Sequence, residues 1–292
     1  MRADFLAGTI HGPLALVTPR PTILIFDSGL GGLTVYDEVR RSRPDARLVY
    51  AADDAAFPYG ALSEARLVVR VCEVMARLVA RHAPDVVVIA CNTASTLVLP
   101  HLRARFGIPF VGTVPAVKPA AAQSRSRVIS VLATPGTVQR DYTRGLVEAY
   151  AGGCRVDLVG SRRLAALAEA ELSGSPAADA EIAGEIAPCF VEDGAARTDV
   201  VVLACTHYPL LLPRLRRLAP WPVAWLDPAP AIARRVEQIL GPAQASPGRP
   251  ASALATFTGG GTLRPPLARA LAARGLGEIA LDPHPLGPSP AH

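Results

Sequence analysis

Residues 85–93 read DVVVIACNT, and residues 199–207 read DVVVLACTH. Six of the nine positions are identical between the two segments. A run of four aliphatic residues without alternation is typical of a strand buried on both faces, as in a parallel sheet covered by helices. Each run ends in an alanine and a cysteine, Cys91 and Cys205. The two segments therefore predict two equivalent buried strands, each with a thiol at its carboxyl end.

Similar apolar runs occur along the rest of the chain. We interpret them as strands at 22–26, 47–51, 86–90, 109–111, 128–133, 155–159, 200–204 and 222–226. Helical patterns separate the strands, at 33–42, 63–81, 94–105, 138–150, 161–172, 178–192 and 210–218. Strands that alternate with helices indicate βαβ units with right-handed crossovers, and therefore an α/β fold.

The first four predicted strands match the last four in the residues that follow each strand. FDSG after the first strand corresponds to ATPG after the fifth, and ACNT after the third corresponds to ACTH after the seventh. The sequence therefore predicts two pseudo-symmetric parallel-sheet α/β domains that face each other across a cleft. Ligands bind beyond the carboxyl ends of the strands in such sheets. Cys91 and Cys205 are thus expected to reach the cleft from opposite sides.

The repeat divides the chain into four segments. We expect the first α/β domain at 21–114, completed by a helix at 228–242, and the second at 115–227. Residues 1–20 form an N-terminal extension. Residues 243–292 are rich in Pro, Gly and Ala, and we expect a flexible tail or a small appendage there.

The composition excludes several classes of function. The 30 lysines and arginines against 25 acidic residues give a net charge of +5, and aromatic residues make up only 5%. Because the basic residues are scattered, no nucleic-acid surface is expected. No apolar run reaches the roughly 18–20 residues of a membrane span. The five cysteines include no CxxC pair, which argues against a disulfide framework and a zinc site and favours a reducing cytoplasm.

No cofactor is expected from the motifs. The segment DSGLGGLTV at 27–35 has Thr34 where a dinucleotide-binding GxGxxG motif needs its third glycine. We interpret its glycines as a strand-to-helix turn that needs positive φ. A pyridoxal phosphate enzyme needs a Schiff-base lysine, and the single lysine, Lys118, lies between Val117 and Pro119 without a supporting motif.

Two cysteines carry the predicted chemistry. A thiol between a strand and the start of a helix lies near the positive end of the helix dipole, which favours a low thiol pKa. Thiols on opposite walls of a cleft suit the inversion of a stereocentre. One thiolate removes the Cα proton, and the opposing thiol returns a proton to the other face. Cys72, Cys154 and Cys189 lack such placement, and we interpret them as inert.

Polar residues around the two cysteines are candidate helpers. Asp27 and Ser28 follow the first strand, where a carboxylate can orient or deprotonate a thiol or hold a substrate ammonium group. A helix N-cap is the alternative role for Asp27. The neutral donors are Asn92, Thr93 and Thr206.

His207 and Glu169 complete the candidate set. His207 can share or supply the proton of Cys205. The alternative for this Cys-x-His pair is a zinc site, which lacks a second ligand pair at suitable spacing. The pattern alone predicts that Glu169, in the helix after the sixth strand, lies on the surface.

Four motifs in this sequence occur together in one known family. They are FDSGLGGLTV (26–35), PYG (58–60), ACNTAS (90–95) and ACTHYPLL (204–211). With them the chain resembles the cofactor-independent glutamate racemases of the aspartate/glutamate racemase superfamily. The resemblance covers about residues 21–240.

The resemblance implies interconversion of L- and D-glutamate without a cofactor or a metal. Cys91 and Cys205 would be the catalytic acid and base, assisted by Asp27, His207 and Glu169. The substrate-binding positions that it implies are Asp27, Ser28, Tyr59, Gly60, Asn92, Thr93, Thr206 and His207. It further implies a cytoplasmic homodimer that makes D-glutamate for peptidoglycan, and so for cell-wall biogenesis and cell shape.

The sequence departs from the family pattern in two places. Residues 161–169 read SRRLAALAE where the family has a CPxxxPLVE-like stretch, and residues 51–60 read AADDAAFPYG where it has a GDTARCPYG-like loop. An aspartate or other amino-acid racemase is one alternative, since one methylene discriminates by only roughly 1–3 kcal/mol; the CTHYP motif favours glutamate. A two-lobed small-molecule binding protein is the second alternative, but it has no use for paired cysteines.

Overall fold

The structure, a computed structural model, describes residues 20–243 and 252–282. Apart from residue 20, the predicted N-terminal extension lies outside the described residues. The first sheet contains β1 (Thr22–Asp27), β2 (Arg47–Ala52), β3 (Val86–Ile89), β4 (Phe110–Gly112), β11 (Ala253–Phe257) and β12 (Glu278–Leu281). Its strands are all parallel, in the spatial order β12–β11–β2–β1–β3–β4.

The second sheet repeats the central part of the first. It contains β5 (Val128–Ala133), β6 (Arg155–Gly160), β9 (Val200–Ala204) and β10 (Ala224–Leu226), and a short antiparallel pair, β7 (Glu192–Asp193) and β8 (Ala196–Arg197), lies apart from it. The four strands are parallel, in the order β6–β5–β9–β10. This matches β2–β1–β3–β4 strand for strand, so the predicted pseudo-symmetric α/β fold is confirmed.

Helices connect the strands. They are α1 (Leu33–Ser42), α2 (Glu64–His82), α3 (Asn92–Arg105), α4 (Val117–Gln123), α5 (Pro135–Val138), α6 (Asp141–Tyr150), α7 (Leu164–Leu172), α8 (Asp179–Ile186), α9 (Leu212–Leu218), α10 (Ala229–Leu240) and α11 (Pro265–Ala273). The helix predicted at 138–150 is interrupted because Arg140 has an extended backbone, with ψ of 136°. The one predicted at 178–192 ends early, and a 3-10 turn with Pro188 follows, since proline disfavours a helix interior.

The central strands of each sheet, β1 and β3 in the first and β5 and β9 in the second, are buried on both faces, which explains their continuous apolar runs. In β1, Ile23 and Ile25 belong to one core cluster, whereas Leu24 and Phe26 belong to the cluster on the opposite face. Strand β9 likewise divides its side chains between two clusters. A strand covered by helices on both sides needs apolar residues at every position, so it does not alternate.

The C-terminal region differs from its prediction. Within the range expected to be a flexible tail or appendage, residues 252–282 form β11, α11 and β12. Strand β11 pairs with β2, with Phe257 opposite Ala52, and extends the first sheet. The Pro- and Gly-rich stretches around these short elements concealed them. Residues 244–251 and 283–292 of that range lie outside the described residues.

Helix α10 returns the chain to the first sheet. Its buried residues Ala229, Ile232 and Val236 lie in the same core cluster as Ile23 and Tyr36. The predicted boundaries 21–114 and 115–227 stay predictions. In the part of the chain that the structure describes, no helix has the length and apolar character needed to cross a membrane.

Candidate active site

Residues at the carboxyl ends of both sheets enclose a small cavity of about 20 Å³. Predicted site residues from both halves line it: Ser28, Tyr59, Gly60, Cys91, Asn92, Thr93, Cys205, Thr206 and His207. The other two predicted residues do not line the cavity but contact residues that do: Asp27 accepts a hydrogen bond from Thr206, and Glu169 hydrogen-bonds to His207. The structure thus brings all of the predicted site residues together, although it does not test their roles.

Cys91 lies between β3 and α3 and is 5% exposed. Burial, with smaller contributions from the nearby Asp27 and Cys205, raises the pKa of Cys91 to about 12 against the opposing hydrogen bonds from Ala94 and Ser28. The low pKa expected from the start of a helix is therefore wrong for this thiol, because burial outweighs the helix dipole. Cys91 is protonated at neutral pH.

This protonation state predicts slow alkylation of Cys91. Only the thiolate reacts with iodoacetamide, and with a pKa of about 12 the thiolate fraction of Cys91 increases about tenfold per pH unit. We expect the labelling rate of Cys91, followed by peptide mass spectrometry, still to increase between pH 8 and 10. A rate that levels off below pH 9 would contradict the assignment.

His207 connects Cys205 to Glu169. Its Nδ1 lies 3.7 Å from the Cys205 sulfur, and its Nε2 lies 2.9 Å from Glu169 Oε1. Burial alone lowers the pKa of His207, but the hydrogen bonds and charges of Cys205 and Glu169 raise it well above its ordinary value. An imidazolium at neutral pH is therefore a positive partner beside the Cys205 sulfur. Across residues 20–243 and 252–282, no group of three or more His, Cys, Asp or Glu residues is placed to hold a metal ion.

Glu169 does not lie on the surface as its pattern alone predicts. Its side chain is 21% exposed and extends from α7 to the first half of the chain. There Oε1 also accepts a hydrogen bond from the Leu30 N–H at 2.7 Å. A Cβ on Gly29 would collide with Glu169, and one on Gly31 would lie 2.5 Å from His207 Nδ1. The absence of a side chain at these glycines permits the close approach of Glu169 and His207. The prediction of positive φ angles for these glycines is wrong.

Asp27 is fully buried at the end of β1. Its Oδ1 accepts from the Gly29 N–H and its Oδ2 from the Thr206 hydroxyl, each at 2.9 Å. Burial raises the pKa of Asp27, and His207 and the two hydrogen bonds offset part of this rise. The cap position of α1 is Gly32 and has no side-chain cap, so the alternative N-cap role is not observed. Asp27 is thus a buried carboxyl whose charge contributes to the raised pKa of Cys91.

Asn92 is the unsatisfied polar group in the wall of the cavity. It is 2% exposed, and neither its Oδ1 nor its Nδ2 has a hydrogen-bond partner among the described residues. A buried amide without partners costs free energy. A ligand with both donor and acceptor groups would satisfy it.

Sequence reasoning missed two threonines at the cavity. The hydroxyl of Thr93 lies 3.0 Å from that of Thr134 and 3.3 Å from that of Thr137, so this contact joins the two halves. The internal repeat could have indicated Thr134, because its ATPG segment corresponds to the FDSG segment that contains Asp27 and Ser28.

A larger pocket of about 510 Å³ adjoins the cavity and shares Pro58, Gly60, Thr134 and Ala165 with it. At its rim, Arg140 of the second half forms an ion pair with Glu64 of α2. Residues of both halves line this pocket, which lies next to the cavity.

The chain matches the family model described as Asp/Glu/hydantoin racemase over residues 34–236. It is 57% identical over 225 residues to the glutamate racemase of Brucella ovis, covering 77% of this chain and 81% of the relative. It is 55% identical over 247 residues to that of Mesorhizobium japonicum, covering 84% and 94%. The crystal structure of Escherichia coli glutamate racemase with L-glutamate and an activator, UDP-MurNAc-Ala, superposes with a TM-score of 0.82 at 38% identity, covering 90% of this chain and 98% of that one. The chain therefore belongs to the Asp/Glu/hydantoin racemase family and is a racemase, an isomerase.

Proposed function

We propose that this enzyme interconverts L- and D-glutamate by moving the Cα proton between two cysteines. The observation that carries the proposal is the delivery of Cys91 and Cys205 to one cavity by equivalent strand ends of two repeated halves. The names of the relatives, and the L-glutamate bound to the E. coli enzyme, support glutamate as the substrate.

The charges around the cysteines support one thiol and one thiolate before substrate binds. Cys91 carries the proton because its pKa is raised to about 12. The imidazolium of His207 lies beside the Cys205 sulfur, where it would stabilise a thiolate, and Glu169 stabilises the imidazolium in turn. The glutamate enantiomer whose Cα hydrogen faces Cys205 can then react without a prior transfer of the Cys91 proton.

The reaction balances within the site. The thiolate forms a bond to the Cα proton, and the electron pair of the C–H bond passes into the substrate carboxylate. The opposing thiol then gives its proton to the other face of Cα. The products are the inverted amino acid, one new thiol and one new thiolate. Nothing is oxidised or reduced, and the reverse direction uses the same groups in exchanged roles.

Substrate binding requires the cavity to enlarge. A volume of about 20 Å³ holds about one water molecule, which is far less than glutamate. We propose that the halves separate along the adjoining pocket, where Arg140 and Glu64 form their ion pair, and that they close on the substrate. The unpaired amide of Asn92 and the hydroxyls of Thr93 and Thr206 are then available for its polar groups.

Solvent-deuterium incorporation tests the proposed function. The wild-type enzyme is incubated in D₂O with L-glutamate, D-glutamate, L-aspartate or D-aspartate, and Cα exchange is followed by NMR together with chiral chromatography. We expect deuterium in the inverted product of each glutamate enantiomer and much slower reaction of aspartate. Faster aspartate turnover would identify an aspartate racemase, and no Cα exchange with any substrate would favour the binding-protein alternative.

The cellular assignments rest on the proposed reaction. We propose that the enzyme supplies D-glutamate for peptidoglycan in the cytoplasm and that it is a homodimer. Growth of a D-glutamate auxotroph on expression of this chain, and light scattering of the purified protein, test these two statements.

A further inference from the structure

The C-terminal strand β11 ends beside the loop that follows β2. Because β11 and β2 are parallel neighbours with Phe257 opposite Ala52, the next residues, Thr258 and Asp53, lie side by side at the carboxyl edge of the sheet. The Thr258 N–H donates to the Ala52 carbonyl at 3.1 Å. Thr258 is 7% exposed, and Asp53 is fully buried.

Asp53 is the centre of a buried hydrogen-bond network. Its Oδ1 accepts from the Thr258 hydroxyl at 2.6 Å and from Arg70 Nη2 at 2.5 Å. Its Oδ2 accepts from the Tyr59 hydroxyl at 2.6 Å and from Arg70 Nε at 2.9 Å. A buried carboxylate needs such donors, and hydrogen bonds to a charged group are stronger than those between neutral groups.

The network holds the loop that forms one wall of the active-site cavity. Tyr59 and Gly60 line the cavity, and the Tyr59 hydroxyl is fixed by Asp53. The start of the same loop is held by the Gly259 N–H, which donates to Asp54 Oδ1 at 2.8 Å. The C-terminal strand therefore contacts the loop at two consecutive aspartates.

We propose that Thr258 is a positioning residue for the racemase site, acting through Asp53 on Tyr59 and the cavity wall. Thr258 does not line the cavity itself; its hydroxyl fixes the orientation of the Asp53 carboxylate, which then holds the Tyr59 hydroxyl. This inference rests on the proposed function, since Tyr59 and Gly60 of the loop line the cavity in which the proposed reaction takes place. The C-terminal strands lie outside the family match at 34–236. If the inference holds, strand β11 helps to position the active-site loop.

The test compares Thr258→Val with Thr258→Ser and Thr256→Val. Valine keeps the shape of threonine but removes the hydroxyl, whereas serine keeps the hydroxyl. Thr256 is the matched control, because it is a buried threonine on the same strand, at 6% exposed, but lies before the strand end. Thr258→Val is expected to raise KM for glutamate about tenfold, because it removes one hydrogen bond to a charged group, the Asp53 carboxylate, that holds the loop in place. The other two variants are expected to keep the wild-type KM.

The split between KM and kcat separates positioning from mere stability. A variant that is only less stable has fewer active molecules, which lowers kcat and leaves KM unchanged. A wild-type KM in Thr258→Val overturns the proposal, and so does an equal KM increase in Thr258→Ser. In a double-mutant cycle with Tyr59→Phe, the two effects are expected not to add; full additivity would show that Thr258 does not act through Tyr59.

Hydrogen exchange provides a measurement that does not depend on catalysis. Amides in the peptide that covers residues 53–61 are expected to exchange faster in Thr258→Val than in Thr256→Val and the wild type. If the wild type fails to racemise glutamate, the proposed function is wrong, while this exchange difference still decides whether Thr258 holds the loop. Equal exchange in all three proteins overturns the inference.

Discussion

Serine in place of Cys91, or in place of Cys205, is expected to lower kcat/KM for both enantiomers of glutamate by about 10²–10⁴-fold. A hydroxyl replaces the thiol with little change in size, but it neither forms an anion nor donates a proton as readily. Both directions are affected because, in the proposed mechanism, every turnover uses both sulfurs. Initial rates from L- and from D-glutamate, measured by chiral chromatography, provide the comparison.

Cys154→Ser is the matched control for these variants. Cys154 is half-buried in the loop before β6 and packs against the core of the second half, away from the cavity. Its substitution is expected to leave both kinetic constants unchanged. If either Cys91→Ser or Cys205→Ser racemises at the wild-type rate, the two-thiol mechanism is wrong.

The two serine variants are also expected to differ from each other in D₂O. Each variant retains one of the two sulfurs. That sulfur can remove the Cα proton only from the enantiomer whose Cα–H bond points towards it. Without a donor opposite, the carbanion regains a proton on the same face, so slow deuterium exchange occurs without inversion. The variants should therefore exchange opposite enantiomers. Exchange of the same enantiomer by both would show that the sulfurs do not face each other across Cα.

The sequence was sufficient to predict the central fold because the strands are buried on both faces. Short continuous apolar runs bounded by turn residues, such as Val86–Ile89 and Val200–Ala204, are typical of strands in a parallel sheet covered on both faces. Strand β11 was not predicted because it is a five-residue strand between Pro- and Gly-rich stretches. Its stability comes from pairing with β2 more than two hundred positions earlier in the chain, and local patterns carry no such information.

The same distinction between local and distant contacts applies to the site. Cys91 and Cys205 were found because the repeat places each at a strand end. The pKa of Cys91 was predicted in the wrong direction, since its burial depends on packing with residues distant in sequence, such as Phe26 and Tyr59. Glu169 and Thr258 contact residues that are distant in sequence, His207 and Asp53 respectively. Their partners become visible only when the chain is folded.

Glutamine in place of His207 is expected to reduce kcat by about 10²-fold or more, because it removes the positive partner of the Cys205 thiolate. Glutamine can still hydrogen-bond to Glu169, so its effect separates charge from packing. Glu169→Gln is the companion variant. It keeps an acceptor for His207 and for the Leu30 N–H but removes the negative charge, and a smaller loss, of about tenfold, is expected.

The pH dependence of the activity distinguishes a charged His207 imidazolium from a neutral His207 ring. The pKa of His207 is raised well above 6.5, with its hydrogen bonds and the charges of Cys205 and Glu169 exceeding the effect of burial. The imidazolium and its stabilising ion pair are therefore fully present below pH 6.5 and are lost as pH rises through the folded-state pKa. In Glu169→Gln this pKa falls, so both the His207 charge and the activity that depends on it are expected to be lost at lower pH than in the wild type.

Titration of the histidine ring nitrogens by NMR measures this shift directly. The chain has six histidines, and His207→Gln identifies the signal to follow. If that signal titrates near pH 6.5 in the wild type and does not move in Glu169→Gln, the imidazolium is absent. Cys205 would then lack a positive partner, and the neutral His207 ring would be the acceptor of its proton. Asp27, the remaining buried carboxyl at the cavity, would be the group to substitute next, because it hydrogen-bonds to Thr206 beside that sulfur.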